Sequence, residues 1–395
     1  MVKSKKPIDI ESEPYPRPRK NPFLTGHDDA EKKLLESFNS GRMHHAWLIS
    51  GPRGIGKATL AYRFARHILS HGEGVNNQPI VAPPDLGAGL FGAEDVPEEN
   101  LPQTDNGPLY LGENTPVFQR VASGGHADLF SIERRHDEKS GKLKTVIGVD
   151  DVRGIGHFLS MTPAEGGWRV VVVDAVDEMN PNAANALLKV LEEPPSRAIL
   201  LLVCHNSANL LPTIRSRCTK MAMRPLNQST VISLIEKYAP DLNSGDARHL
   251  AQLCDGSIGR ALNLAEAGGL DLWKETRNLL SSLPGVDVRA LHSLAEKVSR
   301  AGAEESYNTV TSLVRWWLEG LILVISGKDA GSSMAIKEDV DMMASIGAKA
   351  SLDRWFYVWE KINNLVFRAN AVNLDRKQVV LDIFLSLENA AKNVK

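Results

Sequence analysis

AWLISGPRGIGKATLAYRFARHIL, Ala46–Leu69, holds a strand, a turn and a helix in one stretch. Ala46–Ser50 is a short apolar run and reads as a strand. Gly51–Gly56 is a glycine-rich turn, and an amphipathic helix is predicted from Lys57 onward. The turn nearly completes the phosphate-binding pattern G-x-x-x-x-G-K-[ST]. Such a loop works because glycines let backbone N–H groups wrap a phosphate at a helix N-terminus, whose dipole favours anions. Gly51, Gly54 and Gly56 supply the loop, and Lys57 is placed to reach the β- and γ-phosphates. The next residue is Ala58, where the pattern has a hydroxyl that ligates Mg²⁺. Thr59 is no simple substitute, because one step along a helix turns the side chain by about 100°. A strand–helix turn with no ligand is the alternative reading of the loop.

Further along, WRVVVVD (Trp168–Asp174) and AILLLVC (Ala198–Cys204) are continuous β-branched and apolar runs, the pattern of strands buried on both faces. ADLFSIERR before them also reads as a strand. VRGIGHFLSM reads as a helix, with Asp150 or Asp151 as its N-cap. In NPNAANALLKVLEEPP, Asn180 is the cap, Pro181 suits the first turn, and Pro194-Pro195 stops the helix. Strands alternate with helices from about 46 to 204, which predicts a doubly wound parallel sheet. Residues 71–125 are rich in Gly, Pro and acids, lack Cys, and read as an insertion made largely of loop. The charged, proline-rich residues 1–22 read as a flexible tail. Beyond Arg224-Pro225 the pattern is helical to the end, with Trp316, Trp317, Trp355 and Trp359 read mainly as core.

Bulk composition sets the limits. The chain has 395 residues, 43% hydrophobic and 24% charged, with a net charge of -2. Its pI is about 6.6 and its mean hydropathy -0.20. No global basic field advertises nucleic-acid binding, so contact with DNA has to come from a local patch or through partners. Cys204, Cys218 and Cys254 are too scattered for a disulfide framework or a cysteine zinc site, and a reducing cytoplasm is the expected compartment. No apolar run approaches the roughly 18 residues a membrane span needs.

The chemistry-bearing residues fall in order. Asp174 ends a buried strand, where P-loop ATPases carry an acid that holds Mg²⁺ through water. A capping or strand-end acid is the plainer reading of Asp174. The glutamate that often follows, activating the attacking water, is replaced by Ala175; Asp177 and Glu178 come two and three positions later. Ala58 and Ala175 therefore predict a poor ATPase or none, with a loop that still holds ATP or ADP weakly. TIRSRC (Thr213–Cys218) places Arg217 in a loop after the second buried strand; an arginine held at a subunit boundary can stabilise phosphate charge next door, and a solvated loop arginine is the alternative reading. His44-His45 lack acids at metal spacing and read as structural. Glu192-Glu193 read as a solvated pair or an interface element. Arg53, Arg63 and Arg66 read as solvated surface or as contacts to a phosphate backbone.

GPRGIGKAT, VVVVDAVDEMNPNAANALLKVLEEPP, LLPTIRSRC and GSIGRAL, in this order, resemble the bacterial clamp-loader AAA+ subunits. NALLKVLEEPP followed about twenty residues later by SRC is the most specific part, and NLDRKQVVLDIFLSLE resembles the family's C-terminal end. The resemblance implies an AAA+ P-loop domain over 23–224, a helical lid over 225–269, and a helical collar over 270–395 that oligomerises. It implies a five-subunit DNA polymerase III loader, with motor subunits of the gamma and tau type and a delta subunit, that places a sliding clamp on primer-template DNA. Within it Arg217 would act in trans on a neighbouring motor's ATP. Three departures stand out, and the first two point to the rigid, non-hydrolysing member. Gly259 stands where motors have a sensing arginine, Arg260 coming one later. Cys204-His205-Asn206 replaces a threonine-favouring stretch. The 71–125 insertion carries none of the four cysteines of a zinc module, so no zinc is expected. An active motor is the competing reading; a small-substrate P-loop kinase lacks any acceptor-site signature.

Overall fold

The computed structural model describes residues 15–71, 106–135, 144, 146–165, 167–266, 268–300, 302–327, 337–372 and 374–392. The chain divides into two compact units, Met1–Pro225 and Leu226–Lys395.

In the first unit the order is α1 (Asp28–Asn39), β1 (Ala46–Ser50), α2 (Lys57–His71), α3 (Pro116–Ser123), β2 (Leu129–Glu133), α4 (Val149–Ser160), β3 (Arg169–Asp174), α5 (Pro181–Glu192), β4 (Ala198–Cys204), α6 (Pro212–Arg217) and β5 (Thr219–Ala222). The strands form one parallel sheet in the order β2-β3-β4-β1-β5. Successive side chains of a strand point to opposite faces, so the apolar runs feed two cores at once. Ala198, Leu200, Leu202 and Cys204 of β4 join Val171 and Val173 of β3 under α4 and α5. Ile199, Leu201 and Val203 join Val170 and Val172 on the other face, against α2. Each fully buried Val, Leu or Ile contributes about 1.5–3 kcal/mol, which explains why these two strands lie in the middle of the sheet. The parallel sheet is the one the sequence predicts. β5 was not legible: its four residues alternate exposed and buried, and it exists through pairing with β1.

Several local expectations change. The helix cap before α4 is Gly148, not an aspartate; Asp151 instead reaches back to accept the Gly148 N–H at 3.1 Å. Asn180 does cap α5, accepting from the Ala183 N–H at 2.8 Å. Of the expected loop insertion, 72–105 lie outside the described residues, but Pro116–Ser123 is a helix, α3, capped by Thr115 and closed by left-handed Gly124. Of the expected flexible tail, 1–14 lie outside the described residues. Residues 15–22 are anchored instead, with a short 3₁₀ turn over Pro18–Lys20.

The anchor is made by two buried arginines, which corrects both readings of Arg63 and Arg66: neither is solvated and neither faces a nucleic acid. Arg63 is 0% and Arg66 1% exposed. Arg63 pairs with Glu31 of α1 and donates to the carbonyls of Pro22 and, at 2.8 Å, Asn106. Arg66 donates to the carbonyls of Arg19 and Asn21 at 2.9 and 2.7 Å and lies over the Phe118 ring. Burial, and then the neighbouring Arg63, lowers the Arg66 pKa to about 9. Buried cations survive only when partnered, and here the partners are the Glu31 carboxylate, the Asn106 carbonyl and carbonyls of the N-terminal segment.

In the second unit every described element is a helix: α7 (Gln228–Tyr238), α8 (Ser244–Leu253), α9 (Ile258–Glu266), α10 (Gly269–Ser281), α11 (Val288–Ser299), α12 (Glu304–Ile325), α13 (Lys337–Gly347), α14 (Leu352–Val372) and α15 (Arg376–Lys392). One apolar core runs from Leu226 to Ala391. Trp316, Trp317 and Trp355 are buried in it, and Trp273 meets Trp316 edge-on at 5.5 Å. Trp355 donates to the Gly347 carbonyl at 3.0 Å, and Trp359 to Glu319 at 3.1 Å. The tryptophans are core, as their helical spacing indicates. No helix among the described residues is long and apolar enough to cross a membrane.

Candidate nucleotide site and paired arginine

The sheet brings the site together. β3, β4 and β1 are neighbours, so the turns leaving their carboxyl ends meet at one edge. The turn after β1 is Gly51–Gly56. Gly51 has φ +149° and sits where a Cβ would fall 2.4 Å from the Met223 carbonyl oxygen; Gly56 has φ +104°, with a Cβ position 2.8 Å from Leu24. Gly54 has φ +78°. A side chain fits at none of these backbone conformations without strain. His27, just before α1, contacts the Ile55 carbonyl through Nε2 at 2.8 Å, so the N-terminal segment braces the loop from behind.

Lys57 opens α2. It is buried and donates to the Pro52 carbonyl, folding back over its own loop. Burial lowers its pKa to about 8, with Asp174 and Asp177 opposing. Ala58 packs partly buried on the α2-side core, and Thr59 is buried. The chain therefore presents no hydroxyl immediately after the lysine. Asp174 ends β3. Burial, then the register-paired Glu133 on β2, raises its pKa to about 6 against the pull of Lys57. Ala175 is 1% exposed.

The two later acids are committed elsewhere. Asp177 accepts the backbone N–H groups of His205 at 2.9 Å and Asn206 at 2.7 Å, fastening the turn after β4. Glu178 lies 2.7 Å from Arg134 and 3.4 Å from Arg53 of the loop. So Arg53 faces a carboxylate at the mouth of the loop. Burial, then Lys57 and Arg53, lowers the His205 pKa to about 4, leaving a neutral ring there near pH 7.

Gly51, Gly54, Gly56, Lys57, Ala58 and Thr59 lie together in the loop and the first turn of α2, and Asp174 lies close enough to Lys57 to act on its charge. Glu133, Arg134 and the roles of Asp177 and Glu178 were missed. The strand ADLFSIERR places Glu133-Arg134 at a carboxyl end, but only the strand order shows that β2 lies beside β3. Three glycines in strained conformations, a helix N-terminus and a lysine fit a polyphosphate. Ala58, directly after the lysine, lacks the side-chain oxygen that would fix Mg²⁺ from the helix.

Arg217 forms a second locus. It closes α6, a short helix where a loop was expected. Its Nη2 lies 2.8 Å from Glu192, and its Nη1 donates to the Thr213 carbonyl at 3.0 Å. Glu192, half-exposed, is therefore a partner of Arg217 within the chain. In the second unit, Arg260 pairs with Asp255 at 3.0 Å. His44 meets Trp47 edge-on at 5.9 Å. The cysteines are single and buried, and no metal-binding group of acids, histidines or cysteines occurs among the described residues.

Comparison with known proteins gives a consistent set of similarities. Residues 104–227 match the family described as "DNA polymerase III, delta subunit". DNA polymerase III subunit delta' of Pseudomonas aeruginosa is 33% identical over 228 residues, covering 57% of this chain and 58% of that one. The subunit of the same name from Escherichia coli is 25% identical over 362 residues, covering 91% of this chain and 93% of that one. DNA polymerase III subunit gamma of Buchnera aphidicola is 24% identical over 254 residues, covering 63% and 58%. The chain thus spans a little over half the length of the Pseudomonas and Buchnera relatives.

Proposed function

We propose, for a chain that belongs to the DNA polymerase III clamp-loader family, that it serves as the delta-prime-type stator of the loader. It joins gamma- or tau-type motor subunits and a delta subunit in a five-membered ring, and helps place the sliding clamp on primer-template DNA. Its own loop holds ATP or ADP weakly without turning it over. Arg217 reaches the ATP of the neighbouring motor and neutralises charge on the transferred phosphate. Residues 270–395 are the oligomerising collar, and 225–269 the lid.

The observation that carries this reading is the state of the acids around Lys57. Ala58 offers no metal ligand, Ala175 no base, Asp177 is spent on two backbone N–H groups, and Glu178 sits between two arginines. A hydrolytic site needs a water-activating group in reach of the γ-phosphate, and Asp177 and Glu178, the acids that follow β3, are both otherwise engaged. Arg217 ends a helix with 36% of its side chain exposed, its ion-pair partner Glu192 being exposed as well.

The test is reconstitution. The chain should co-purify with motor and delta subunits, hydrolyse no ATP alone with Mg²⁺, and complete a loader whose DNA-stimulated ATPase collapses in Arg217→Ala. Robust turnover by the isolated chain, lost in Lys57→Ala, would make it a motor instead.

A further inference from the structure

The loop carries an arginine that the phosphate-binding pattern does not require. Arg53 sits at its third position, with 63% of its side chain exposed and its guanidinium 3.4 Å from Glu178. Glu178 has a closer partner in Arg134, at 2.7 Å with both side chains 19% exposed. The asymmetry matters. If Arg53 swings away, Glu178 remains neutralised by Arg134. Its departure places a planar cation at the lip of a glycine loop whose floor is Lys57. A polyphosphate seated there gains charge-assisted bonds from both. In most such loops Mg²⁺ supplies that neutralisation through the residue after the lysine, and here that residue is Ala58.

We infer that Arg53 takes over the charge-neutralising role of the metal, making this loop a metal-independent site for nucleoside di- and triphosphates, with Glu178 as the internal competitor that holds Arg53 when the site is empty. The inference rests on the proposal that the loop retains nucleotide. It adds which cation makes retention possible and what opposes it. A phosphate group draws Lys57 off the Pro52 carbonyl and Arg53 off Glu178, exchanging two internal partners for one ligand.

Calorimetric titration of the full chain with ADP, in excess EDTA and again in excess Mg²⁺, tests it. Wild type should bind equally in both. Arg53→Ala should lose about tenfold or more in affinity, the scale of one charge-assisted bond, with Arg53→Lys intermediate. Glu178→Gln should bind several-fold tighter. Arg53 is exposed, and matching melting curves will show that its variants fold. Strong tightening of wild type by Mg²⁺, an Arg53→Ala variant that binds like wild type, or a Glu178→Gln variant that binds no tighter overturns the inference and leaves nucleotide retention standing. If wild type and Lys57→Ala both fail to bind under either condition, nucleotide retention itself falls. The arginine role of Arg217, read in the assembled loader, is unaffected by either result.

Discussion

The last residue of α5, Glu192, and the last residue of α6, Arg217, form an ion pair of 2.8 Å. Arg217 is favoured by the negative end of its own helix dipole, whereas Glu192 lies at the unfavourable end of its helix and is offset by the arginine. Both side chains are substantially exposed, so the pair orients more than it stabilises.

Arg217→Ala should therefore shift stability by no more than about 1 kcal/mol. Hydrolysis of the neighbouring motor's ATP in a reconstituted loader should fall by about 10³-fold, the low end for a trans arginine. Thermal melts and steady-state ATPase on the same preparations separate the two effects. A loader that keeps its rate refutes the trans role.

Ala58→Ser restores an oxygen where Mg²⁺ is otherwise unheld. Nucleotide binding should become Mg²⁺-dependent, tightening by several-fold in calorimetry, while turnover stays at background because Ala175 remains. Turnover appearing with this single change would show that a base is already present.

Asp174→Asn bears on stability and its pH dependence. The folded pKa, about 6, lies above the ordinary 3.8. Between these values the folded state binds more protons than the unfolded one, so stability falls as pH rises through the window. The penalty is complete above about pH 6 and absent below about pH 4. A neutral isostere should raise the melting temperature at pH 7, by on the order of 1 kcal/mol in stability, and the gain should vanish by about pH 4. A loss at pH 7 would mean that pairing with Lys57 outweighs burial.

Breaking the buried pair tests the N-terminal anchor. Arg63→Met leaves Glu31, at 1% exposure, without its cation and frees the carbonyls of Pro22 and Asn106. The expected cost is about 3–5 kcal/mol. Glu31→Leu combined with Arg63→Met should recover part of it. Limited proteolysis should cut near residue 22 faster in the single variant than in wild type.

The sheet was legible because β3 and β4 are apolar on both faces, a pattern that has few other solutions. The loop was legible because glycine and lysine positions in a phosphate cradle are local. What escaped the sequence depends on partners far along the chain. Arg63 and Arg66 look like surface cations on a helix until Pro22, Asn21 and Arg19, more than forty positions earlier, turn their carbonyls toward them. β5 is a strand through its neighbour, β1. The partners of Asp177 and Glu178 escape the sequence because nothing local shows that the turn after β4, or Arg134 at the end of β2, lies within reach.

Asp177 also makes the loops at the sheet's carboxyl edge a single mechanical piece. One carboxylate spans the exits of two adjacent strands, holding both N–H groups at 205 and 206 from the turn that follows β3. A displacement of either turn must carry the other with it or break two charge-assisted bonds. The exits of β3 and β4 therefore behave as a keyed joint rather than as two independent flaps.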